Sequence, residues 1–142
     1  MAASRAFLLA LALVAAPLSG LAVEPAIVVI VHPSRTEELS REEVARIFLK
    51  QRRYWADGHP IVPLNREAQS ASRELFRERV LLLDPGRLAE YWSERYFEGV
   101  LPPVTLSSDT AVVRYVAADP NAVGYVTSSH LDDSVRVAFR LP

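Results

Sequence analysis

The stretch Arg66-Glu67-Ala68-Gln69-Ser70-Ala71-Ser72 sets one permanent cation and two hydroxyls in the order R-x-x-x-S-x-S, between an apolar run and a helical pattern. A strand ending at Asn65 and a helix starting near Ser72 or Arg73 would lay this loop over the helix's amino-terminal end. Several backbone N–H groups lack partners there and the helix dipole is positive. An oxyanion suits such a place: Arg66 would supply a forked, permanently charged donor, and the Ser70 and Ser72 hydroxyls could donate to the remaining oxygens. The same residues admit a plainer reading, in which a serine before a helix is its cap and an arginine at a strand end is solvated. Two residues favour the plainer one. Ala68 brings no polar group to the loop, and Glu74 in the first turn already compensates the dipole.

The other chemistry-bearing residues are less organised. His32, His59 and His130 have no metal-ligand spacing and no cysteine beside them, so no metal and no cofactor is expected. Glu42 and Glu43, like Asp132 and Asp133, are adjacent acids; adjacency turns side chains to different faces, which argues against paired acid–base work. Serines are numerous but none sits in a G-x-S-x-G elbow, and the chain reads as non-enzymatic. Trp55, Tyr91, Trp92 and Tyr96 read as core rather than as a stacking platform.

The elements that must position these residues follow from periodicity. Ala26-Ile-Val-Val-Ile-Val31 is a continuous β-branched run, the pattern of a strand covered on both faces. Ser40-Arg41-Glu42-Glu43 is a capping box opening a helix over about 41–50, with Val44, Ile47 and Phe48 as its buried stripe. Asp57-Gly58 and Pro60 are turn chemistry that delivers the chain to a strand at 61–65. A helix over about 72–83 follows, burying Leu75, Phe76, Val80 and Leu83. Pro85 opens another, with Leu88, Tyr91, Trp92 and Tyr96 on one face. A short strand at 104–106 precedes a helix capped by Ser107, Ser108 or Asp109, with Val112, Val113 and Val116 inward and a stop at Asp119-Pro120. Ala122-Val-Gly-Tyr-Val126 reads as a strand, and Val135–Leu141 alternates as a half-exposed edge strand would. Strands alternating with helices predict an α/β domain.

The bulk properties narrow the setting. Arg5, the apolar run Ala6–Ala16 broken by Pro17, and Gly20-Leu21-Ala22 have the order of a secretory leader over residues 1–22, leaving a single domain over 23–142. The run is shorter than the roughly 18 apolar residues of a spanning helix, so no membrane span is expected. There are no cysteines among the 142 residues, which removes disulfides and a lipidated cysteine. The formal charge of −1 becomes −2 without Arg5, with 15 basic against 17 acidic residues, unlike the basic footprint of a nucleic-acid binder. An exported, periplasmic protein is expected.

From Leu39 to Val126 the chain resembles the phosphate-binding proteins of ABC transporters, within the type II periplasmic binding superfamily. The resemblance rests on the order of its parts: the Ile47-Phe48 helix, the turn Trp55-Ala-Asp57-Gly58, the strand with Arg66, the serine loop into Glu74-Leu-Phe76, and the closing Gly124-Tyr125 strand. It implies one lobe of that fold, with a central sheet of about five strands flanked by helices. The family's loop reads R-S-D-G-S-G-T; Arg66 matches its arginine, Ser70 its serine and Ser72 its threonine, the groups that grip phosphate. Ala68 stands in place of the aspartate and Ala71 in place of a glycine that allows close approach. The family's other lobe has no counterpart here. Three charge-assisted contacts and one helix end give roughly 7 kcal/mol, from which association removes at least about 4 kcal/mol, leaving millimolar binding or weaker. Tight capture of phosphate or a similar oxyanion would need a second surface, from another copy of the chain or from a partner protein covering the face the missing lobe leaves bare. An alternative expectation is an interaction module that kept the fold and lost the ligand.

Overall fold

In the computed structural model, residues 15–17, 20 and 26–142 are described; the leader read over residues 1–22 lies almost wholly outside them. Five strands, β1 (Ile27–Val31), β2 (Val62–Arg66), β3 (Val104–Leu106), β4 (Ala122–Thr127) and β5 (Arg136–Arg140), form one sheet in the order β3-β2-β4-β1-β5. β2 runs parallel to both β3 and β4, whereas β1 is antiparallel to β4 and β5. Among the described residues four α-helices accompany them: α1 (Arg41–Phe48), α2 (Ala71–Phe76), α3 (Pro85–Phe97) and α4 (Asp109–Ala118).

The run Ile27–Val31 is an interior strand, between β4 and β5, and wholly buried because the sheet is covered on both sides. Its alternate residues divide between two cores, as strand geometry requires. Ile27, Val29 and Val31, with Val123 and Tyr125 of β4, pack on one face under α1 and α2, where Val44, Ile47, Phe48, Trp55, Phe76 and Val80 meet them. Val28 and Ile30, with Ala122 and Val126, pack on the other face under Val112, Val113 and Val116 of α4. Gly124 is the point where α4 comes nearest: a Cβ there would lie 2.5 Å from Val112 Cγ1. β5 is an edge strand, as its alternation predicts.

The caps hold the helices in register. Ser40 accepts from Glu43 N–H at 3.2 Å and its own N–H donates to Glu43 Oε2 at 2.8 Å, completing the capping box. Ser70, Asp84 and Ser108 cap α2, α3 and α4. Arg35, buried against the Trp55 ring, ties the turn to the start of β4 by donating to Pro120 O, Asp57 and Asn121.

Two expectations need correction. The helix expected over 72–83 is α-helical only through Phe76; Arg77–Leu81 is a π-helical turn, and Leu82 ends it in the left-handed region with φ 55°. A wider turn rotates the residues that follow it about the axis, and Leu83 beyond it is only half-buried, as is Leu75 before it. The aromatic face of α3 is not core: the helix buries no residue, Tyr91 and Trp92 are half-buried, and Tyr96 is 64% exposed. The amphipathic pattern is present, but the sheet face under α1 and α2 is already covered. Trp55, by contrast, is buried as expected. No helix among the described residues is long and apolar enough to cross a membrane.

Candidate anion site at the end of strand β2

The strand order makes the carboxyl end of β2 a special position. The chain leaves β2 through α2 toward β3 at the sheet edge, then returns through α4, on the opposite face, to β4 on the other side of β2. Connections that depart in opposite directions on opposite faces open a crevice at the strand's carboxyl end, the usual ligand position in open α/β sheets. Arg66 is the last residue of β2.

The strand end is fixed from below by the core. Tyr125 stacks on Phe76 with ring centroids 4.1 Å apart, and its hydroxyl donates to Asn65 Oδ1 and accepts from Arg66 N–H at 3.3 Å. Burial pushes the Tyr125 hydroxyl up to about 12, so it stays protonated and able to donate. Arg73, from the first turn of α2, donates to Arg66 O at 2.8 Å and binds the helix to the strand end.

The Arg66 side chain, 10% exposed, is held on two sides by carboxylates. Its Nη1 pairs with Asp109, the first residue of α4. Its Nη2 and Nε meet Glu67 Oε1 and Oε2 at 3.0 and 3.4 Å. Those bonds from Arg66 are the main reason the Glu67 carboxyl titrates below its ordinary range, with a smaller charge contribution from Arg73. Asp109, 7% exposed, is itself saturated: its Oδ2 accepts from Thr127 N–H at 3.1 Å and Thr127 Oγ1 at 2.7 Å. His130 Nδ1 lies 3.2 Å from the same oxygen and 2.8 Å from Thr127 Oγ1.

Ser70 stands at the N-cap of α2, its Oγ accepting from Arg73 N–H at 3.4 Å, while its own N–H donates to Glu67 O at 3.0 Å and closes the loop as a turn. A capping hydroxyl keeps its proton free to donate outward. Ser72 is buried in the first turn. Arg66, Ser70 and Ser72 therefore belong to one strand–turn–helix unit. The guanidinium is turned toward α4 and Glu67, which the sequence reading missed. In the sequence Ser107-Ser108-Asp109 shows only capping character, and nothing ties Thr127 and His130 to Arg66. Two arginines, Arg66 and Arg73, face two carboxylates, Glu67 and Asp109, so the cluster is charge-balanced.

A mixed five-stranded sheet covered by helices on both faces matches the lobes of periplasmic binding proteins. Residues 21–139 match the PBP superfamily domain, and the chain belongs to that superfamily. It superposes on a protein from Clostridium perfringens described as a phosphate ABC transporter substrate-binding protein with bound phosphate, at TM-score 0.67 and 23% identity, covering 80% of this chain and 44% of that one. An ABC-type phosphate transport receptor from Vibrio cholerae gives 0.64 and 20%, covering 80% and 45%. PstS from Borrelia burgdorferi gives 0.63 and 16%, covering 80% and 46%. At these identities the likeness is one of fold, and this chain spans less than half the length of each. No curated protein matches the sequence.

Proposed function

We propose that this chain is an exported, non-enzymatic oxyanion-binding lobe, with phosphate as the first ligand to consider and Arg66, Ser70 and Ser72 as its contacts. One observation carries the reading: the carboxylate of Glu67 lies across Nη2 and Nε of Arg66, as a bound oxyanion would. The Glu67 side chain is 35% exposed and attached by a single residue of backbone, so a stronger anion can displace it. Asp109 is buried and remains in place, orienting the guanidinium. The names of the similar structures, one of them solved with phosphate, support the choice of anion.

Displacing Glu67 opposes binding, and the contacts of Arg66, Ser70 and Ser72 reach the anion from one side only, so from them affinity in the millimolar range or weaker is expected. A second copy or a partner protein that closed over the crevice would supply the missing contacts, in the periplasm to which the leader would direct the chain. The test is a titration of 15N-labelled protein with inorganic phosphate at constant ionic strength. Shifts confined to residues 66–73 and 107–109 support the reading; no localised shift at tens of millimolar phosphate would refute it. Sedimentation with and without phosphate then asks whether a second copy closes the site: a ligand-promoted dimer supports closure, and a monomer in both conditions assigns closure to a partner.

A further inference from the structure

At the opposite end of β2, a groove of about 360 Å³ lies between the end of α1, the entry to β2 and the segment after α3. Its floor is Ile47 and Ile61, both buried, and its rim carries Tyr54 and Leu101, 62% and 60% exposed. Lys50 and Arg53 line the same groove. Neither makes an ion pair among the described residues, whereas Arg52 beside them is paired with Glu37 and Glu43. Lys50 is half-buried, with its backbone in the left-handed region at φ 59°. Loss of water, and then the charge of Arg53, push its ammonium below the ordinary lysine range.

Neutralising the end of α1 does not account for these cations. The carbonyls of Ala45, Arg46 and Ile47 already accept from the N–H groups of Leu49, Gln51, Arg52 and Lys50, and Leu49 O accepts from the Tyr91 hydroxyl. Two neighbouring positive charges without counter-ions, on the wall of an apolar groove of ligand size, match an acid carried on an apolar body.

We propose that this groove binds a small amphipathic organic anion, its aromatic or branched aliphatic body over Ile47 and Ile61 and its acid group between Lys50 and Arg53. Tyr54 and Leu101 flank the body. The site is separate from the crevice at Arg66 and does not depend on the reading given to that crevice.

The experiment titrates the intact 15N-labelled chain with 2-naphthalenesulfonate, with the uncharged 2-naphthalenemethanol, and with inorganic phosphate. The sulfonate is expected to shift Ile47, Lys50, Arg53, Ile61 and Leu101, with about tenfold weaker binding for each of Lys50→Gln and Arg53→Gln. Both side chains lie beyond the α1 core stripe, so both variants should keep the wild-type spectrum elsewhere. Equal binding of the uncharged compound, equal shifts with phosphate alone, or sulfonate shifts located elsewhere would each overturn the proposal.

Discussion

Asp109, the first residue of α4, forms a buried ion pair with Arg66, the last residue of β2, across 43 positions of sequence. The pair joins the strand to a helix on one face while Arg73 joins it to the helix on the other. Removing the guanidinium leaves a carboxylate that is 7% exposed without its cation. Arg66→Met is therefore expected to cost about 3–5 kcal/mol in urea unfolding, and Arg66→Met with Asp109→Asn, which removes the charge but keeps an acceptor for Thr127, to recover part of it. A double variant as unstable as the single one would show that the loss does not come from the orphaned carboxylate.

Glu67 acts on the same guanidinium from the solvent side. Glu67→Ala removes the internal competitor and a negative charge, and is expected to tighten phosphate binding about tenfold with little change in stability. The check is the phosphate titration repeated on the variant. Unchanged affinity would mean that the carboxylate does not occupy the anion's position.

Gly124 limits how closely α4 approaches the sheet. A methyl group there meets Val112 Cγ1 at 2.5 Å and Leu64 Cβ at 3.6 Å, so Gly124→Ala is expected to cost about 1–3 kcal/mol. Val112→Ala removes the opposing methyls, and the double variant should be more stable than the sum of the two single losses predicts. Thermal unfolding of the four proteins measures the coupling.

Two groups set pH limits. Tyr125 titrates at about 12 in the fold, chiefly because it is buried, against about 10 when unfolded. Below pH 10 neither state loses this proton. Between 10 and 12 the unfolded state loses it first, so stability falls with rising pH. Tyr125→Phe should flatten that limb. Asp57 is lowered to about 2, first by the His59 N–H and also by Arg35, so its contribution is complete above its ordinary range and fades as pH drops toward 2. Asp57→Asn should flatten the acid limb.

The parts of the fold legible in the sequence were those fixed locally. The run Ile27–Val31 announced a doubly covered strand, and the Ser40–Glu43 box announced the start of α1. Strand β2 ends one residue later than expected, at Arg66 itself, so the arginine is part of the sheet rather than of the loop. The partner of Arg66 was not legible, because a contact over 43 residues leaves no periodic trace and Asp109 follows two serines that cap equally well. The exposure of α3 was not legible either. Amphipathicity shows that a helix has an apolar face, with Tyr91, Trp92 and Tyr96 here, but says nothing of whether the core has room for it.

The most direct test of an oxyanion at Arg66 is a crystal structure of the chain grown without phosphate and then transferred to tens of millimolar phosphate. The expected result is a tetrahedral anion within hydrogen-bond reach of the Arg66 guanidinium and the Ser70 and Ser72 hydroxyls, with Glu67 swung away and Asp109 still paired. Glu67 remaining on Arg66, with no anion in the crevice, would contradict it.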